Sequence, residues 1–192
     1  SLRAAWGLVA AGLYDVMLVL GVDPGSRITG YGIVEKSERM LRCVRSGQIK
    51  TRKGAPFPEK IHQIFQGIRD LIETYHPRQM AIEDIFYAKN VKSSLKLGHA
   101  RGAALVAATE AGLDIYEYTP LEIKKAVVGY GRASKEQVGA MVRVILKLDA
   151  VPGPDAADAL AAAICHLNWI RLDPRQARGE APTGEVSGSN TQ

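Results

Sequence analysis

Met-Leu-Val-Leu-Gly-Val-Asp-Pro-Gly-Ser, residues 17–26, is the stretch on which the fold turns. An apolar run, Met17–Val22, stops at Asp23-Pro24-Gly25-Ser26, which reads as a strand entering a turn. Just beyond it, Gly30–Val34 (Gly-Tyr-Gly-Ile-Val) reads as a second strand and Cys43–Thr51 as a third. Connections this short join antiparallel neighbours, because a parallel pair needs a long crossover.

Further along, the period changes. Ile61, Ile64, Phe65, Ile68, Leu71 and Ile72 recur at helical spacing, so Pro58–His76 is expected to be a helix, stopped by His76-Pro77. Gln79–Glu83 reads as a buried strand, Val91–Ala111 as a long helix rich in Ala and Gly, and Ile115–Tyr118 as a strand. A short helix is expected at Leu121–Val128. Ser134-Lys-Glu-Gln137 has the form of a capping box opening a helix to Leu148. After a Pro/Gly break at Val151–Pro154, a last helix spans Asp155–Leu172. The order β-β-β-α-β-α-β-α-α-α predicts an α/β fold. A mixed sheet of about five strands would carry helices on both faces.

The 192 residues suit one domain, with 46% hydrophobic and 23% charged residues. Residues 17–172 are expected to form that domain. Residues 1–16 read as a leader, disordered or reflecting a misassigned start with Met17 as initiator, and 173–192 as a disordered tail. The net charge is +5; the leader contributes nothing and the tail −1, so the body carries +6. A basic body admits a polyanionic partner. Cys43 and Cys165 stand alone, without zinc spacing, and read as free thiols in a reducing cytoplasm. Asp15 interrupts the only candidate for a membrane-length apolar run.

Against that charge, four carboxylates stand out: Asp23, Glu83, Asp155 and Asp158. Taken alone, Asp23 is equally well explained as a turn former. Glu83 is harder to dismiss, because it continues Met80-Ala81-Ile82 and would be costly to bury unpaired. Asp155 and Asp158 lie at i and i+3 at the start of an Ala-rich helix. An N-cap and the helix dipole account for one of them more easily than for two. Oxygen ligands without a His or Cys cluster suit Mg²⁺ or Mn²⁺. Two such ions can activate a water and stabilise the leaving oxygen of a phosphodiester.

The basic residues fall into two groups. Lys89, Lys92, Lys96 and Arg101 open the long helix with no acid among them, and the three lysines are spaced to share a face, as a phosphate track would. Lys124, Lys125, Arg132 and Lys135 form the second group. Phe86-Tyr87 follows Glu83 on a loop, either as core or as a surface on which an unpaired base stacks.

At these residues the chain closely resembles the bacterial RuvC family of Holliday-junction resolvases, within the ribonuclease H-like superfamily. The resemblance runs through Leu-Gly-Val-Asp-Pro-Gly-Ser-Arg-Ile-Thr-Gly-Tyr-Gly (20–32), Ala-Ile-Glu-Asp-Ile-Phe-Tyr-Ala-Lys-Asn (81–90), Ser-Leu-Lys-Leu-Gly-His-Ala-Arg-Gly (94–102), Val-Val-Gly-Tyr-Gly-Arg-Ala-Ser-Lys (127–135) and Asp-Ala-Ala-Asp-Ala-Leu-Ala (155–161), in order. It implies a ribonuclease H-like fold and a metal-binding catalytic tetrad of Asp23, Glu83, Asp155 and Asp158 using two Mg²⁺. It implies that Phe86 inserts into the junction and that Lys124 and Lys135 lie near the scissile phosphate. It further implies a homodimer that nicks two strands of like polarity, leaving 5′-phosphates and 3′-hydroxyls, alongside the RuvA and RuvB branch-migration proteins. Asp84 departs from the family, where Gln is common, and residues 1–16 have no counterpart there.

Three other readings compete. A YqgF-type ribonuclease H-like enzyme would act on structured RNA. An actin-type ATPase would need two such domains, and the chain has room for one. A purely structural role for the acids would leave a protein that binds four-way DNA without cutting it.

Overall fold

The computed structural model describes residues 16–37, 40–84 and 91–172. Its elements run β1 (Val16–Asp23), β2 (Ile28–Ser37), β3 (Met40–Lys50), α1 (Phe57–Tyr75), β4 (Gln79–Glu83), α2 (Val91–Glu110), β5 (Asp114–Tyr118), α3 (Pro120–Val128), α4 (Lys135–Ile145) and α5 (Pro154–Leu172). The sheet order is β3-β2-β1-β4-β5. The first three strands are antiparallel, and β4 and β5 run parallel to β1. The expected mixed five-stranded sheet with helices on both faces is what forms, and its organisation is ribonuclease H-like.

Because strand residues alternate between faces, each strand divides its side chains between two cores. Leu20, Val22, Ile33, Met80 and Ile82 pack against α1 and α2. Val19, Val34 and Ala81 face α3, α4 and α5. Among the latter helices α5 is central, with Ala156, Ala157 and every residue from Ala159 to Leu167 buried. A helix apolar all round belongs inside a fold. Its alanines bring its backbone against the sheet, where Gly21 accommodates it. The carbonyl oxygen of Ala159 lies 2.0 Å from where a Cβ on Gly21 would stand.

Helix ends follow local chemistry. Ser134 and Gln137 form the expected reciprocal capping box at α4, and Thr119 and Glu122 form a second at α3; each such cap stabilises by about 1 kcal/mol. Helix α4 stops at Ile145, three residues short of the sequence expectation. Lys147 takes a left-handed φ of 53°, and the Leu148 N–H returns to the Arg143 carbonyl. That reversal ends the helix although apolar residues continue at its period.

Candidate active site

The alternation that builds the two cores also aims the acids. Val19, Gly21 and Asp23 share one side of β1, and Ala81 and Glu83 share the same side of β4, the side that α5 covers. Strands β1 and β4 are parallel, with Val22 registered against Ile82, so Asp23 and Glu83 are the next residues on adjoining strand ends. The first turn of α5 arrives over this edge with Asp155 and Asp158. Its approach depends on Gly30 of β2, registered against Asp23. The Asp155 carbonyl oxygen lies 2.0 Å from the position a Gly30 Cβ would occupy. All four sequence-predicted acids are therefore brought together from three elements.

Their electrostatics show the convergence. Burial pushes the Asp23 carboxyl up to about 7, and the negative charges of Asp158, Glu83 and Asp155 push in the same direction, partly opposed by Lys135. Glu83 is raised as well, first by burial and then by Asp158, with Lys135 and Lys124 opposing. Lys135, the first residue of α4, donates from Nζ to Asp158 Oδ2 at 2.5 Å. Its own pKa is raised, chiefly by that hydrogen bond and further by Asp158, Asp23 and Glu83. Two ammoniums, Lys135 in contact and Lys124 nearby, leave four carboxylates short of positive charge.

The donor set fits a hard divalent cation, since every available ligand atom is a carboxylate oxygen. Among the described residues no three acidic, His or Cys side chains close into a ready-made coordination shell. Two of the acids are instead held by protein donors: Asp158 by Lys135 and Asp155 by Gln48, whose Nε2 donates to Oδ2 at 2.5 Å. Sequence reasoning missed Gln48. The only available signal was a polar residue on the inward side of a strand with mixed polarity, which is weak.

The predicted DNA contacts separate. Lys124 and Lys135 lie close enough to affect the acids. Lys92 and Lys96 are exposed on the first turns of α2. Arg101 belongs elsewhere: its guanidinium is mostly buried and pairs with Glu117 and, at 3.8 Å, with Asp84. At about 100° per residue it lies roughly 180° around the helix from Lys92, so it is not part of the lysine track. Phe86 and Lys89 lie outside the described residues.

The family described as Crossover junction endodeoxyribonuclease RuvC matches residues 19–166, from the first strand into the helix that carries the acidic pair. The chain belongs to the RuvC family. A RuvC from Geotalea uraniireducens is 51% identical over 152 residues, which is 79% of this chain and 89% of that protein. One from Alkalilimnicola ehrlichii is 50% identical over 163 residues, 85% of this chain and 98% of that protein. Both are named crossover junction endodeoxyribonucleases, and this chain is an enzyme of that RuvC class. Among solved structures, Thermus thermophilus RuvC in complex with a Holliday junction substrate superposes with a TM-score of 0.77 at 37% identity. That match covers 81% of this chain and 96% of the other. Among the described residues no helix is long and apolar enough to cross a membrane.

Proposed function

We propose that this chain resolves Holliday junctions during DNA recombination and repair. It would make paired, symmetric nicks in strands of like polarity and leave 5′-phosphates and 3′-hydroxyls. The observation that carries the mechanism is the convergence of Asp23, Glu83, Asp155 and Asp158, undercompensated by Lys135 and Lys124. These four hold the divalent cations, with Mg²⁺ as the resident ion, two per site, and Mn²⁺ as a substitute. Bound there, the cations supply Lewis acidity that activates water and stabilises the leaving oxygen. The chain's own contribution is orientation and charge. Asp23 and Glu83 are fixed by the sheet, Asp155 and Asp158 by the buried α5. Lys135 and Lys124 place positive charge beside the scissile phosphate, where the reaction builds negative charge.

Lys92 and Lys96, with Lys89, hold the phosphate backbone of an arm, and Phe86 stacks in the opened branch point. Association as a homodimer is supported by an exposed stripe on α2. Val91, Leu95 and Val106 are exposed there, and Gly98 and Gly102 lie between them with open space above. Those five positions fall on one helical face. RuvA and RuvB are the expected partners, in the cytoplasm, with residues 17–172 as the nuclease domain. The deciding experiment labels opposed strands of a mobile four-way junction and adds Mg²⁺ or EDTA. Symmetric Mg²⁺-dependent nicks are expected. Tight binding without cleavage in either Mg²⁺ or Mn²⁺ would sink the proposal.

A further inference from the structure

Asp23, Gly30 and Gln48 form one row across three strands. Asp23 is registered with Gly30 on β1 and β2, and Gly30 with Gln48 on β2 and β3. The middle position has no side chain, and the backbone of Asp155 sits in the space this leaves. The start of α5 is thus seated between a catalytic carboxylate on one side and a glutamine on the other. From β3, an edge strand, the half-buried Gln48 reaches the helix and donates from Nε2 to Asp155 Oδ2 at 2.5 Å. The orientation of its amide follows from chemistry, since an ionised carboxylate only accepts.

The two acids of α5 are held in different ways. Asp158 is held by a cation, Lys135, which competes for the same negative charge that a metal ion would use. Asp155 is held by a neutral amide, which restricts rotation of the carboxylate without cancelling its charge. Oδ2 is engaged, and among the described residues no side chain donates a hydrogen bond to Oδ1. A carboxylate otherwise turns freely about its last torsion, and an oxygen fixed in advance binds a cation with less ordering to do. Hydrogen bonds of this outer kind typically change metal affinity or activity by about 10–100-fold.

We propose that Gln48 is a positioning residue for Asp155, orienting its carboxylate for divalent-cation binding through the Nε2 to Oδ2 hydrogen bond across Gly30. The proposal rests on the reading of the four acids as a cation site.

The test measures Mn²⁺ binding directly, by electron paramagnetic resonance of the free ion, on the full chain without DNA. Wild type, Gln48→Leu and Gln48→His are compared, with thermal melting and junction binding in EDTA as folding controls. Gln48→Leu keeps the bulk and removes the donor. It is expected to weaken Mn²⁺ binding by about tenfold, and to raise the Mn²⁺ concentration for half-maximal cleavage by a similar factor. Junction binding in EDTA should not change. Gln48→His returns an N–H at similar reach and should recover most of the lost affinity. Unchanged Mn²⁺ affinity in a folded Gln48→Leu overturns the proposal, as does a loss in Gln48→His that equals the loss in Gln48→Leu. If Gln48→Leu fails to fold, Gln48→Ala takes its place under the same criteria. A wild type that binds no Mn²⁺ would overturn the cation site and this role together, whereas loss of the Gln48 effect alone would overturn only the latter.

Discussion

The two faces of the sheet are made by alternate residues of the same strands, yet they follow opposite rules. Toward α1 and α2 the strands present Leu20, Val22, Ile33, Met80 and Ile82, large side chains that fill space. Toward α5 they present Val19 and Val34 at one end, then Gly21, Gly30, Gly32 and Ala81, and at their far ends Asp23 and Glu83. One face keeps the helices a side chain away. The other lets a helix backbone nearly touch the strands, which places the first turn of α5 among the strand-end acids. Both faces bury an apolar core, but the strand-end acids, and with them the chemistry, stand only on the second. Substitutions on the two faces should therefore separate stability from cleavage.

The largest separation is expected at Asp23. Asp23→Asn removes a carboxylate from the cation site, and since outer hydrogen bonds alone are worth about 10–100-fold, cleavage should fall by at least about a hundredfold. Junction binding in EDTA should survive, because the lysines remain. The same change should raise the melting temperature of the metal-free protein, because Asp23 is buried among like charges. A variant that cuts at the wild-type rate would remove Asp23 from the site. One that melts lower in EDTA would mean the acids are not in mutual repulsion.

Gly30→Ala comes next. The added carbon would meet the Asp155 carbonyl oxygen at 2.0 Å, and backbone cannot swing aside as a side-chain tip can. Overpacking of this kind costs about 1–3 kcal/mol, read as a lower denaturation midpoint. Cleavage should suffer more than that stability loss implies, because the displaced atoms belong to the turn that carries Asp155. Full activity in Gly30→Ala would show that α5 can lift from the sheet without disturbing the acids.

These contrasts bear on how much could be read from the chain itself. The acids were legible because each one ends or opens an apolar run, and a turn, an N-cap or the helix dipole accounts for some of them but not for all four together. The hairpins and crossovers were legible from connection lengths. Gln48 was not, because β3 shows no clean alternation and its pairing with β2 shifts register between Ile33 and Val34. The surroundings of Arg101 were not legible for a geometric reason: a basic run in sequence is not a basic face, and helical phase turns Arg101 toward Glu117. The end of α4 was overrun because apolar spacing continues past Lys147, whose left-handed backbone no periodicity reveals.

A smaller effect is expected from pH, measured by denaturation in EDTA. Asp23 has a folded pKa raised to about 7 from 3.8, so the folded state binds the extra proton. Its contribution favours folding at low pH and is lost as pH rises through about 7. His166 has the opposite sign. It is fully buried, bonded to Tyr118 and Gln79, and held down to about 4, mainly by burial. Its contribution is present above about 6.5 and lost as pH falls toward about 4. The two oppose each other between about 4 and 6.5. The stabilisation from Asp23→Asn should therefore be larger at pH 8 than at pH 5, by on the order of 2 kcal/mol. Equal stabilisation at both values would mean that Asp23 titrates normally.

The smallest effect belongs to Ile33→Val, on the same strand as Gly30 but on the opposite face. Ile33 is fully buried and packs in the cluster with α1 and α2, on the opposite face of the sheet from the four site acids. Both residues are branched at Cβ, so strand preference is retained, and the change reduces to one missing methyl. Such a deletion typically costs about 0.5–1.5 kcal/mol, visible as a modest drop in the denaturation midpoint. The cleavage rate at saturating Mg²⁺ should not move. Gly30→Ala adds one carbon to this strand and Ile33→Val removes one, so the pair compares the two faces at nearly equal chemical cost. If Ile33→Val slows cleavage in proportion to its lost stability, the faces are mechanically coupled, and the division of labour between them does not hold.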